Sequence, residues 1–222
     1  MNLSPILISM RTASAAIVVT FFLGLLAAKW VAGVKGKIGK MILDGILTLP
    51  LVLPPTVAGF FLLYIFGVRG PVGKFFLDFF SVKIAFSWGA TVLAAVAISF
   101  PLMYRSARGA LEQVDPNLIY AGRTLGLSEW QIFLRVSLPT ALPGVASGAV
   151  LAFARGLGEF GATAMIAGNI AGKTRTLPLA IYSAVSSGDM DIAYNYVLII
   201  VLFSFLVVAL MNYFTVQEKQ VK

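Results

Sequence analysis

The sequence predicts an all-α polytopic membrane protein with about five transmembrane helices. Three observations carry that prediction. The 222 residues are 59% hydrophobic and 12% charged, with a mean hydropathy of +0.92, whereas a soluble domain is about 45–50% apolar and about 25% charged. Uncharged runs cover 12–28, 45–68, 84–104, 136–154 and 192–217, each near the roughly 20 residues that cross about 30 Å of hydrocarbon. A polar island at about 106–138 separates the third run from the fourth.

The first run is slightly short, and Lys29 at its end can extend its stem to the interface. The second carries Leu49-Pro50-Leu51-Val52-Leu53-Pro54-Pro55-Thr56-Val57-Ala58-Gly59. Prolines within a span remove donors and kink it, and the freed carbonyls need neighbouring helices or water in a cavity. Such a kink suits either plain packing or a helix that lines a pathway. The third run is rich in small residues from Gly89 through Ala97, which lets helices approach closely.

The fourth run leads into Arg155 and Glu159, four residues apart, so they share a helix face and can pair. Ionisable groups at membrane depth are costly and face a bundle interior or water. The pair fits a structural ion pair near the interface or a place beside a pathway. Gly156, Gly158 and Gly161 mark a broken or closely packed helix. The shorter apolar pieces 160–172 and 176–188 fall below spanning length and read as re-entrant, interfacial, or a broken continuation of the fourth span.

With the 105–135 segment inside, ten Lys and Arg lie inside and six outside. This predicts an external N-terminus and a cytosolic C-terminus. The formal charge of +8 belongs to that pattern, and no nucleic-acid partner is inferred. The start of the chain lacks the basic n-region of a cleavable signal. There is no Cys and no His, which excludes disulfides, thiol nucleophiles, a Ser-His-Asp triad and the usual transition-metal ligands. Ala167-Gly168-Asn169-Ile170-Ala171-Gly172-Lys173-Thr174 looks like a phosphate-binding loop, but it follows a membrane segment rather than a buried strand, and Pro178 comes soon after. No ATP site is expected in this chain.

Local signals make the island two short helices. Asp115 before Pro116 is an N-cap followed by a proline at the first helical position. Gly126 can take the left-handed conformation that stops a helix. Ser128 and Gln131 have capping-box spacing. Leu118, Leu125, Ile132 and Phe133 are available to pack. By these signals alone the island is equally an ordinary helical hairpin.

Tyr120-Ala121-Gly122-Arg123-Thr124-Leu125-Gly126, followed by Val136-Ser137-Leu138-Pro139, resembles the cytoplasmic coupling loop of bacterial ABC-importer permeases, Glu-Ala-Ala-x3-Gly-x9-Ile-x-Leu-Pro. Ala121, Gly126, Leu138 and Pro139 match in register. Tyr120 stands where the family has Glu, Gly122 where it has the second Ala, and Val136 where it has Ile. The proline run at 49–59, Ser99-Phe100-Pro101-Leu102-Met103, Gly158-Glu159-Phe160-Gly161-Ala162-Thr163 and Thr174-Arg175-Thr176-Leu177-Pro178 are together similar to the molybdate permeases of that superfamily. Sulfate/thiosulfate and tungstate permeases are near alternatives, and Phe160 and Arg175 lean toward molybdate.

The resemblance implies a type I importer (MetI-like) architecture in one permease domain, 1–222, in the bacterial cytoplasmic membrane. It implies a homodimer, a cytosolic ABC ATPase dimer docked on Tyr120, Ala121, Gly122, Gly126, Leu138 and Pro139, and an external substrate-binding protein that delivers the oxyanion. ATP and Mg would be bound by the ATPase, leaving this chain with no cofactor and no catalytic role. The residues expected at a translocation path or gate are Pro54, Pro55, Thr56, Arg155, Gly158, Glu159 and Gly161. An ion-coupled secondary transporter, the reading from another class, would need membrane-embedded acids and an inverted repeat. Only Glu159 qualifies, and no repeat is visible.

Overall fold

A computed structural model describes residues 2–34 and 36–220, with side chains through residue 210. Eleven α-helices and no strand occur among the described residues. Among the described residues, four helical stretches are long and apolar enough to cross a membrane: α1 (Ser4–Ala32), α5 (Trp88–Glu112), the continuous stretch Glu129–Leu157, and Met190–Leu210 of α11 (Met190–Gln220). The last residues of the 192–217 run keep the helix, but their side chains lie outside the described ones.

The second apolar run is not one kinked helix. It forms α2 (Lys37–Val52) and α3 (Pro55–Phe66), bent by 109° at Leu53–Pro54. Leu53 and Pro54 take extended ψ values of 141° and 135°. A residue before proline is driven out of the helical region, and Leu53 and Pro54 both precede one. Of the prolines in this run only Pro50 lies inside a helix; Pro55 opens α3, where its missing N–H is no loss. Helix α4 (Pro71–Phe80) then turns along the surface.

Helices α1 and α5 form the centre and run parallel. Thr12 pairs with Thr91 at 2.9 Å and Thr20 with Ser99 at 3.2 Å, and the Trp88 indole donates to Thr12 at 3.1 Å. Gly24 lets α1 meet Met103 and Tyr104 so closely that a Cβ would lie 2.7 Å from Met103 Cγ. The parallel course follows from the bent α2–α3 pair making the one return crossing between them.

The polar island forms α6 (Pro116–Thr124) and α7 (Glu129–Ile132). A π-helical turn over Phe133–Ser137 then joins α7 to α8 (Leu138–Leu157) without a break. Pro139 therefore does not separate two segments. The wider turn sits directly before it, where its ring would otherwise meet the carbonyl of Arg135. Helix α8 packs antiparallel on α5, with Gly148 against Ser106 and Gly156 against Ala95 and Ser99.

The two short apolar pieces do not span. The first holds only α9 (Gly161–Ile166), and the second holds α10 (Leu177–Ser187), about 16 Å long at 1.5 Å per residue. Helix α9 is mostly buried against α3 and α5, and α10 packs one face on α1 and α11. Ile166 O accepts from Phe86 N, and Leu177 N donates to Ser9 Oγ at 2.7 Å. One buried core joins α1, α5 and α8 around Met103, Tyr104 and Val145, and a second joins α3, α5 and α9 around Ala94, Ile98 and Ile166.

Candidate functional site

The island folds as its local chemistry requires. Asp115 caps α6 by accepting from Asn117 N at 2.9 Å. The far end is a Schellman stop: Leu127 N donates to Gly122 O, Gly126 N donates to Arg123 O, and Gly126 has φ +74°. Ser128 and Gln131 close both arms of a capping box, at 3.3 and 2.9 Å. Arg123 grips Glu129 across the corner at 2.7 and 3.3 Å. That hydrogen bonding and the Glu129 charge raise the Arg123 guanidinium above its usual pKa.

Gly122 is buried, and a Cβ there would lie 3.0 Å from Ile132 Cγ1. The alanine expected at this position would crowd α7, so glycine fits the tighter corner. Ile132 and Phe133 face inward as expected. Leu118 and Leu125 do not: they are 44% and 78% exposed. With Tyr120 and Ala121, also exposed, they make an apolar rim around the corner on an otherwise polar loop. Pro139 is exposed in the first turn of α8, and Leu138 packs into the α1–α5–α8 core. Lys29 at the end of α1 sits over Trp130 at 3.4 Å and Phe133 at 4.3 Å, tying the corner to the first span.

The residues expected at a path or gate fall in one region, where α3 meets α9. A Cβ on Gly59 would lie 2.6 Å from Ala162 Cα, and one on Gly161 would lie 2.9 Å from Pro55 Cβ. Pro55 and Thr56 therefore touch the 158–161 stretch directly, and Pro54 and Thr56 are exposed at its edge. Arg155 and Glu159 do pair, at 2.9 Å, although α8 ends at Leu157 and Gly158 caps it. Glu159 is outside the helix and reaches back to Arg155 with one oxygen while the other accepts from Ala162 N at 2.7 Å. Its carboxylate, 2% exposed, joins the end of α8 to the start of α9, where a negative charge is favoured.

Sequence spacing did not single out a third group. Asp44 of α2 meets Tyr104 and Arg108 of α5, and Lys40 meets Glu112. The i, i+4 series 104, 108, 112 was readable on one face of α5, but its partner lies far back in the chain.

A family model described as binding-protein-dependent transport system inner membrane component matches residues 6–216. The chain belongs to that family. Among its relatives, ModB of Escherichia coli K12, a molybdenum transport system permease protein, is 47% identical over 182 residues, 82% of this chain and 79% of ModB. YvgM of Bacillus subtilis, a putative molybdenum transport system permease protein, is 42% identical over 217 residues, 98% of this chain and 93% of YvgM. Two solved structures share the fold. A bacterial ABC transporter involved in alginate import gives a TM-score of 0.71 at 15% identity, over 99% of this chain and 79% of that one. The MetNI methionine ABC transporter gives 0.63 at 17%, over 95% and 93%. The expected importer-permease architecture is therefore the one observed, and the chain is a multi-pass inner-membrane permease.

Proposed function

We propose that this chain is the membrane subunit of a molybdate importer, working as a homodimer with a separate ATPase dimer and an external binding protein. The observation that carries the substrate is the 47% identity to ModB across most of both chains. The exposed glycine corner supports the coupling role. It is a polar excursion between the third and fourth uncharged runs, its backbone is fixed by three interlocking caps, and its rim is apolar and exposed. An exposed apolar patch of this kind marks a protein-binding surface. ATP and its magnesium are held by the ATPase, so this subunit supplies the path and receives the force.

The charge bias supports an external N-terminus and a cytosolic C-terminus. The oxyanion passes near the α3–α9 contact, where Pro54, Pro55 and Thr56 face Gly158, Glu159 and Gly161. A path that avoids a dense ring of fixed cations releases an anion readily. The test is uptake in liposomes holding the permease with its ATPase and binding protein. Molybdate should enter only with ATP and ATPase present, and excess sulfate should compete poorly. Uptake without the ATPase would favour an ion-coupled transporter, and equal competition by sulfate would move the substrate to that class.

A further inference from the structure

The two halves of the broken second span are held in opposite ways. Helix α3 is locked: Gly59 meets Ala162, and Pro55 meets Gly161, at distances that admit no Cβ on either glycine. Helix α2 has no buried residue at all, and Ile38, Met41, Ile42, Ile46 and Leu49 are all exposed. Leu43 and Leu47 rest partly on the core. Helix α2 also touches α1, and polar contacts tie it to the last turns of α5. Asp44 accepts from Tyr104 Oη and pairs with Arg108 Nη1. Arg108 Nε also binds Glu112 at 2.9 Å, and Glu112 takes Lys40 Nζ at 2.9 Å. Tyr104 is fully buried, so the α5 side of this clasp is fixed. A recess of about 370 Å³ lies between the two helices beside it.

Helix α5 ends at Glu112, and α6 of the glycine corner begins at Pro116. The charged clasp is thus the joint between the segment that carries the corner and the loosely packed half of the broken span. We infer that Asp44, Arg108 and Glu112 are positioning residues for coupling. They make α2 follow the end of α5 when the corner moves, with Leu53–Pro54 as the hinge and α3 staying with α9. A clasp made of charges at the membrane boundary suits this task. It holds direction through paired hydrogen bonds, and it leaves only the half-buried Leu43 and Leu47 of α2 packed on the core. The inference rests on the corner being where the ATPase docks.

The test uses the complete complex in liposomes. Asp44→Asn and Arg108→Gln leave the corner intact, so the ATPase should co-purify at the wild-type ratio and still hydrolyse ATP. Molybdate imported per ATP should fall at least tenfold. A second variant preserves the clasp: Thr48→Cys with Gly109→Cys places thiols on either side of the recess. The chain has no other cysteine, and a Cβ at Gly109 meets nothing within 4 Å. A cleavable thiol-specific cross-linker should stop uptake in this variant, and reductant should restore it to the unlinked level. Unchanged import per ATP in the two clasp variants would overturn the inference, even if less complex assembles. So would transport by the cross-linked protein at the unlinked rate. A wild-type chain that fails to bind the ATPase at all would overturn the functional reading, and the inference with it.

Discussion

Replacing Glu159 with Ala tests the junction between α8 and α9. Two hydrogen bonds are lost, from Arg155 at 2.9 Å and from Ala162 N at 2.7 Å. Ala162 is fully buried, so its orphaned N–H costs about 1–3 kcal/mol. Arg155 loses its acceptor, but its side chain is 32% exposed and can turn toward water. Its share therefore falls below the roughly 3–5 kcal/mol of a broken, fully buried pair. The expected loss is about 3 kcal/mol. Glu159→Gln keeps one acceptor for Ala162 and should lose about 1–2 kcal/mol. Two ordinary hydrogen bonds between membrane helices, at about 0.6 kcal/mol each, would give only about 1 kcal/mol. The assay is reversible unfolding by dodecyl sulfate in mixed lipid micelles, followed by fluorescence of the 3 tryptophans. A double-mutant cycle with Arg155→Ala should show a coupling of about 1–2 kcal/mol. Additivity within about 0.5 kcal/mol, or an Ala variant as stable as wild type, would refute the reasoning.

The same unfolding assay distinguishes the locked and loose halves of the second span. Gly59→Ala forces a Cβ to 2.6 Å from Ala162 Cα and should cost about 1–3 kcal/mol. Gly45→Ala meets nothing within 4 Å and should be neutral or stabilising by up to about 1 kcal/mol through helix propensity; equal effects at the two sites would contradict the asymmetry. Orientation is read with reporters: one inserted after Gly73 should be external and one after Lys222 cytosolic, and an external C-terminal signal would reverse the assignment.

Much of the fold was legible because membrane burial writes itself into long uncharged runs. The island was legible residue by residue, since caps are short-range: Asp115, Gly126 and the Ser128–Gln131 box act on neighbours within six residues. Local signals say less about what crosses the chain. The proline run announced a kink but not two separate helices bent by 109°, an angle set by what each half packs against. The Arg155–Glu159 pair was readable as i, i+4, but the carboxylate's second role at Ala162 depends on α8 stopping first. Leu125 looked like a packing residue because it is apolar, yet it sits at the C-cap of α6 and points out. Asp44 could not be matched to Arg108, 64 residues away, without the tertiary arrangement of α2 and α5.

The most direct measurement of the central claim is made at the corner itself. With the native chain free of cysteine, Ala121→Cys supplies a single exposed thiol one turn before Gly126 for cross-linking to a cysteine on the ATPase. Gly126→Val then perturbs only the corner. Nothing lies within 4 Å of a Cβ there, but φ is +74°, which a β-branched residue adopts at a cost of roughly 1–2 kcal/mol. The expected result is efficient cross-linking with Gly126 present. With valine, cross-linking should be lost, or retained without stimulation of ATP hydrolysis by loaded binding protein. Normal cross-linking together with normal stimulated hydrolysis in the Gly126→Val chain would contradict the claim that this corner couples the permease to its ATPase.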